Sequence, residues 1–177
     1  MTCVRYAADG WGEGELWLQG TRLVWHELPR PPRNPHPGWG SNPPPSRSTI
    51  PAKGARVRHE TAPEVQLLVH RFEGYFAGEP AAFADVEVDG DGWTPFQQDV
   101  AAALRAVPYG EVVSYSDLAR SAGYPRAQRA AGTFCAGNRF PLVVPCHRVV
   151  SANGPGAYPG LGVEYKRRLL ALEGVTV

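Results

Sequence analysis

The chain has 177 residues, 43% hydrophobic and 20% charged, a globular composition with enough length for one ordinary domain or two small ones. No apolar run reaches 18 residues, which excludes a membrane-crossing helix, and Met1-Thr2-Cys3-Val4-Arg5-Tyr6 lacks the apolar core of a secretion signal. Three cysteines are an odd number for a disulfide framework, so a reducing cytoplasm and no membrane partner are expected.

Residues 12 to 28 alternate as a hairpin does, with Glu15-Leu16-Trp17-Leu18 and Leu23-Val24-Trp25-His26-Glu27-Leu28 flanking a turn at Gln19-Gly20-Thr21-Arg22. Nine of the 18 prolines fall between Pro29 and Pro51, which predicts a long mobile surface loop over residues 29–58. Thr61-Ala62-Pro63-Glu64 is a helix start, with Thr61 as N-cap and Glu64 at N3. The helix Val65 to Phe76 puts Leu68, Phe72 and Phe76 on one face and stops near Gly78. Phe83 to Val88 reads as a short strand in an acidic, Gly-rich segment. Residues 1–92 therefore suit a small α/β domain.

Thr94, Pro95 and Gln97 repeat the start signal as a capping box, predicting a helix to about Ala106 that buries Phe96, Val100 and Leu104. After the turn Pro108-Tyr109-Gly110-Glu111, a helix from Asp117 to Ala122, capped by Ser114 or Ser116, is broken by Gly123-Tyr124-Pro125. A second helix, Arg126 to Ala136, follows. Two short helices around a Gly-containing break are the pattern of a helix-turn-helix. The second carries Ala127, Ala130, Ala131, Gly132 and Ala136, small enough for close approach to a groove wall, with Arg126 and Arg129 extending from it. Alanines packed on a core are the plainer account of the same pattern.

Charge separates along the chain: +4 over residues 1–58, −8 over 59–99 and +5 over 100–177. From Arg120 to Arg168 there are eight basic residues against the single acid Glu164, a balance that suits a polyphosphate backbone. In the same region, Val143-Val144-Pro145-Cys146-His147-Arg148-Val149-Val150 places a thiol beside an imidazole. Pro145 should end the strand-like run Leu142-Val143-Val144 and present Cys146 on a turn. A small buried hydrophobe is the alternative for that cysteine. The Gly/Pro loop Ser151 to Gly162 is a candidate pocket wall or lid. The last helix, Val163 to Leu172, sets Tyr165, Leu169 and Leu172 against Lys166, Arg167 and Arg168. Glu173 at its end opposes the helix dipole, which points to a partner for the acid.

Pro145-Cys146-His147-Arg148-Val149-Val150, with Asn138 eight residues and Arg129 seventeen residues before the cysteine and Leu169-Leu170-Ala171-Leu172-Glu173-Gly174 after it, resembles the O6-alkylguanine-DNA alkyltransferases, also called methylated-DNA–protein-cysteine methyltransferases. The likeness runs from about Phe96 to Gly174. It implies an α+β protein: a variable N-terminal α/β domain (1–92), then a mainly helical domain (93–177) with a helix-turn-helix and an active-site cysteine loop. It also implies roles. Cys146 is the alkyl acceptor, His147 its base and Glu173 the group that orients the imidazole. The O6 alkyl group is out of reach inside a duplex, so the nucleotide must be flipped. Arg129 then fills the vacated stack, Tyr115 crowds the flanking phosphate and donates to the guanine ring, and Arg126 joins the DNA contacts. Asn138 ties the recognition helix to the cysteine loop, and Tyr115, Pro141, Val149 and Gly160 line the guanine pocket.

The implied partner is double-stranded DNA containing O6-alkylguanine, met by a monomer that needs no cofactor and is consumed in one turnover. Two departures stand out. Ala157-Tyr158-Pro159-Gly160-Leu161-Gly162 replaces the Gly-Tyr-x-Gly-Gly-Leu loop of many members, and only Cys3 and His26 are available for the zinc that some members hold. No metal is expected. A non-catalytic lesion-sensing or regulatory DNA binder is the alternative function, disfavoured by the presence of Cys146. A Cys-His hydrolase is a third reading, but a thiol and its base adjacent in sequence are not its signature.

Overall fold

A computed structural model describes residues 1–30 and 62–177. They form two compact units, Met1–Ala81 with Val86–Asp89, and Ala82–Asp85 with Gly90–Val177. Instead of one cut near residue 92, the chain crosses between units, for reasons visible in its hydrogen bonds. Leu23 exchanges backbone bonds with Glu87 (2.8 Å) and Asp89 (2.7 Å), holding that short piece on the sheet. Arg105 Nη2 donates to the carbonyls of Phe83 (3.2 Å) and Ala84 (2.8 Å), holding the preceding piece on the second unit. The strand expected over Phe83–Val88 therefore reduces to one bridge between Leu23 and Val88.

The first unit is an antiparallel meander of β1 (Thr2–Ala8), β2 (Gly12–Gln19) and β3 (Arg22–Arg30), covered by α1 (Pro63–Phe76). The expected hairpin is β2–β3, closed where Gln19 faces Arg22, and β1 is an additional strand in register from Thr2–Leu18 to Ala8–Gly12. β3 runs on through Pro29, which an edge strand tolerates because its N–H side need not join a ladder. The expected proline-rich loop beyond Arg30, and the Thr61 cap, lie outside the described residues. Helix α1 is entered through Ala62 with Pro63 in the first turn, and it buries Leu68, Phe72 and Phe76 as its periodicity requires. Phe72 and Phe76 pack on Tyr6, whose hydroxyl lies 2.7 Å from His26 Nε2.

The second unit contains α2 (Pro95–Arg105), β4 (Val113–Ser114), α3 (Tyr115–Ser121), α4 (Gln128–Ala136), a single 3-10 turn at Cys146–Arg148, β5 (Val149–Val150) and α5 (Val163–Leu172). The capping box at the start of α2 is complete, with Thr94 N bonded to Gln97 Oε1 (2.9 Å) and Gln97 N to Thr94 Oγ1 (3.3 Å). Val100, Ala101 and Leu104 are its buried residues. Phe96, expected in the core, is only half-buried and meets Tyr124 edge-on at 4.9 Å.

Ser114 is the cap of α3, accepting from Asp117 N at 3.0 Å. The helix ends in a Schellman motif: Gly123 adopts φ 89°, its N–H donates to Arg120 O, and Tyr124 N–H donates to Ala119 O. A side chain there would be strained, so Gly123 fixes the angle at which the chain leaves for α4. Helices α2, α3 and α4 pack on one another. A parallel two-residue ladder pairs Val113 with Val149 and Ser114 with Val150. That ladder places the first residue of α3, Tyr115, next to the chain leaving the cysteine turn.

Candidate active site

The approach to Cys146 is a turn and not the extended run expected for Leu142–Val144. Val144 N bonds Phe140 O at 2.8 Å, and Leu142 takes φ 70°, a conformation a bulky residue adopts only when its surroundings enforce it. The enforcement is burial: Phe140, Leu142, Val143 and Val144 are all core residues. Pro145 then leads into the 3-10 turn, with Arg148 N bonded to Pro145 O at 2.9 Å.

Cys146 is 6% exposed. Asn138 Nδ2 donates to its sulfur at 3.1 Å and to Val144 O at 2.6 Å, while Asn138 Oδ1 accepts from Phe140 N at 3.0 Å. One amide thus braces the end of α4, the buried turn and the thiol. Burial pushes the Cys146 thiol up. The Asn138 hydrogen bond, the Lys166 charge and a hydrogen bond from Tyr158 pull it back.

His147 and Glu173 are both buried, with Nε2 and Oε1 2.7 Å apart. Glu173 is brought there by the end of α5. Gly174, at φ 80°, donates to Ala171 O, and Val175 N donates to Leu170 O, a second Schellman motif that ends the helix at Leu172 and leaves Glu173 as its C-cap. The acid that opposes the dipole by sequence is held by His147, by Gly110 N at 3.1 Å, and by Arg148 through two nitrogens. Burial alone would raise the Glu173 carboxyl. The His147 and Arg148 hydrogen bonds and the Arg148 charge outweigh it and bring the value down to about 2. Burial lowers the imidazole of His147 against the opposing pull of Glu173, so the ring is neutral. An ionised Glu173 can only accept, so Nε2 carries the ring proton and Nδ1 is the basic nitrogen.

The remaining residues singled out from sequence are placed as follows. Tyr115 is half-buried, its ring packed between α4 and the 151–162 loop: a Cβ at Gly156 would come within 3.3 Å of it, and one at Gly132 within 3.7 Å. Burial, then Cys135 and Cys146, raise its phenol. Arg126 and Arg129 are exposed. Ala130, Thr133 and Ala136 are exposed with Arg129, while Ala131 and Phe134 are the buried residues of α4. Of its small residues, Ala130 and Ala136 therefore face outward, Ala127 and Gly132 are half-buried and Ala131 packs on the core. Val149 is fully buried, Pro141 half-buried, and Gly160 exposed at φ 85°. A cavity of about 340 Å³ lies between the start of α2 and α4, lined by Trp93, Phe96, Thr133, Phe134 and Asn138 among others. Of the catalytic, DNA-binding and pocket residues expected from sequence, its lining includes only Asn138.

Three residues of the site escaped the sequence reading. Arg148 and Lys166, counted there as surface charge, are 6% and 0% exposed, and Tyr158 is a buried donor to Cys146. Leu172, assigned to the buried face of α5, is half-buried, and Lys166 with Leu170 takes its place. The available signal was spacing: Lys166, Leu169 and Leu170 stand at i, i+3 and i+4, one helical face.

Comparison with known proteins follows the same residues. Residues 95–175 match the family model of the DNA-binding domain of 6-O-methylguanine DNA methyltransferase. The chain is 43% identical over 104 residues to the methylated-DNA–protein-cysteine methyltransferase of Methanosarcina acetivorans, covering 59% of this chain and 65% of that protein, just under two thirds of its length. Identity with the protein of the same name from Methanopyrus kandleri is 41% over 131 residues, 73% of this chain and 91% of that one. The crystal structure of Mycobacterium tuberculosis OGT in complex with DNA is similar with a TM-score of 0.73 at 32% identity, over 98% of this chain and 93% of the other. The chain belongs to the 6-O-methylguanine DNA methyltransferase family.

Proposed function

We propose that the protein repairs DNA by direct reversal, moving an alkyl group from O6-alkylguanine to Cys146 once per molecule. The observation that carries this reading is a buried thiol, bonded by Asn138 at 3.1 Å and followed directly by the His147–Glu173 pair, in the same compact unit as the two short helices α3 and α4. Cys146 is the acceptor, His147 the base and Glu173 the group that orients it. The Cys146 proton passes to His147 Nδ1 through a water. The sulfur attacks the alkyl carbon, the C–O6 bond breaks with its electrons going to guanine, and guanine takes up a proton. The product is a thioether with no leaving group that water can displace, so the protein is consumed.

The substrate is a nucleotide flipped from double-stranded DNA. Arg129 fills the stack it leaves, Arg126 meets the backbone, and Asn138 couples α4 to the cysteine turn. Tyr115, Pro141, Val149 and Gly160 surround the base, with the raised Tyr115 phenol remaining a hydrogen-bond donor to the ring. No helix among the described residues is long and apolar enough to cross a membrane, and the protein acts in the cytoplasm as a monomer on nucleoid DNA.

The deciding experiment is an intact-mass measurement after incubation with a duplex containing O6-methylguanine. One added methyl, mapped to Cys146 and absent in Cys146→Ala, is the expected result. A wild-type mass unchanged while the duplex is still bound favours a lesion-sensing binder instead.

A further inference from the structure

Pro108-Tyr109-Gly110-Glu111 reads as a plain connection between α2 and β4, closed where Glu111 N–H donates to Pro108 O at 3.2 Å. Its other contacts reach the end of α5. A helix leaves its last carbonyls without partners inside the helix, and an acid placed there adds a charge of the same sign as that end of the dipole. In α5 both costs fall on adjacent residues, Leu172 and Glu173. Tyr109 Oη donates to Leu172 O at 2.9 Å, and Gly110 N–H donates to Glu173 Oε2 at 3.1 Å. Consecutive residues of the turn thus hold the main chain just before the acid and the carboxylate itself.

The approach needs glycine at position 110. Its φ is 79°, and a Cβ there would stand 3.1 Å from Glu173 O, a main-chain atom that cannot swing aside. The same segment also reaches the cation of the site: Val107 O accepts from Arg148 Nη1 at 2.7 Å, and Arg148 Cζ lies 5.9 Å from the centre of the Tyr109 ring. His147 and Arg148 ride together on the 3-10 turn, so by themselves they can shift as one body against α5. Residues 107–110 belong to neither element and oppose that shift. With Gly110 on Oε2 and His147 Nε2 on Oε1 at 2.7 Å, turning the carboxylate breaks a bond at each oxygen.

We infer that Tyr109 and Gly110 are positioning residues for the His147–Glu173 pair: their turn sets where the end of α5 stands and which carboxylate oxygen faces the imidazole. They act through Glu173. The inference rests on the reading of His147 as the base, but its first test reads the pair itself and needs no alkyl transfer.

That test follows the His147 Nε2–H proton by 15N-resolved NMR in the full-length protein, where a charge-assisted hydrogen bond to a buried carboxylate places it far downfield and slows its exchange with water. Tyr109→Phe keeps the ring over Arg148 and deletes only the hydroxyl. It should move the proton upfield and speed its exchange about fivefold, the effect of one lost hydrogen bond. Gly110→Ala should do at least as much. Gly92→Ala is the control: φ there is 82° and a Cβ would meet nothing within 4 Å, so it shares the backbone strain and should leave the His147 proton in place. An unmoved proton in a folded Tyr109→Phe overturns the inference, as does an equal response to Gly92→Ala. A further reading needs no variant. The Gly110 amide should resist hydrogen exchange as the core amides of α5 do, and free exchange at Gly110 also overturns the inference.

Transfer from free O6-benzylguanine separates positioning from a general structural loss. Tyr109→Phe should slow it about fivefold at pH 7, and the deficit should close as the pH rises through the titration of the thiol, because a thiolate that forms unaided needs no base. A deficit of the same size at every pH overturns the inference. Normal transfer with a His147 proton indifferent to Tyr109 removes only this inference. A His147 proton that responds to Tyr109 in a protein that transfers nothing removes only the proposed function.

Discussion

Arg148 and Glu173 meet through two parallel contacts, Nε to Oε2 at 2.9 Å and Nη2 to Oε1 at 3.0 Å, with both side chains buried. Arg148 Nη1 also donates to Val107 O at 2.7 Å, so the pair fastens the end of α5 and the cysteine turn to the segment after α2. Removing one partner leaves an uncompensated buried charge and costs about 3 to 5 kcal/mol. Arg148→Met and Glu173→Ala should each lower the unfolding free energy measured by urea denaturation by that amount. The double replacement should cost clearly less than the two losses together, because no charge is then stranded. Full additivity would show the pair to be uncoupled.

The same carboxylate should govern acid stability. Glu173 titrates at about 2 in the fold against an ordinary 4.5, so the folded state holds fewer protons between those values. Its contribution is complete above pH 4.5 and is lost as the pH falls toward 2. Unfolding free energy measured at successive pH values should decline over that interval, and Glu173→Gln should flatten the decline while starting from a lower plateau. An equally steep fall in the variant would assign acid sensitivity to other groups.

Asn138 spans three groups that have no common secondary structure: Val144 O, Cys146 Sγ and Phe140 N. Asn138→Ala should cost about 1 to 3 kcal/mol, because it strands buried polar backbone. In a chain of this length that corresponds to a loss of several degrees in Tm, at about 2 to 4 °C per kcal/mol. Alkyl transfer should fall as well, since the donor to the thiol is lost. Calorimetry and a single-turnover transfer assay read the two effects. Unchanged transfer at lowered Tm would confine Asn138 to a structural role.

Arg129 is exposed on α4 beside Ala130 and Thr133. If its work is to replace a flipped base, Arg129→Ala should slow transfer from a duplex by an order of magnitude or more, given a flipping cost of about a few kcal/mol. Transfer from free O6-benzylguanine, which needs no flipping, should barely change. Equal losses on both substrates would place Arg129 in the pocket chemistry. Arg126→Ala should instead reduce the salt dependence of duplex binding by about one phosphate contact.

Local chemistry made much of this protein readable from its residues. The β2–β3 hairpin, the complete capping box at Thr94, the Ser114 cap and the two short helices around Gly123 all follow from interactions within a few residues of each other. Such signals act over one turn and survive in any tertiary context. Phe83–Val88 failed as a strand because distant groups, Leu23 and Arg105, compete for its backbone in opposite directions. Leu142 failed for a related reason: burial of its neighbours overrides the extended preference of an apolar run before a proline.

By itself the sequence determined which groups the chain carries: a thiol beside an imidazole, an asparagine eight residues before it, an acid at the end of the last helix, and two short helices. Those identities are covalent, and no fold can alter them. Only the tertiary structure decided which charges face water. Arg148 and Lys166 read as two more cations on a basic surface, yet one is held by Glu173 and the other lies buried against the carbonyl of Val149. Solvation depends on what packs around a side chain from far along the chain. The burial of these two residues therefore became visible only once α5 had closed over the cysteine turn.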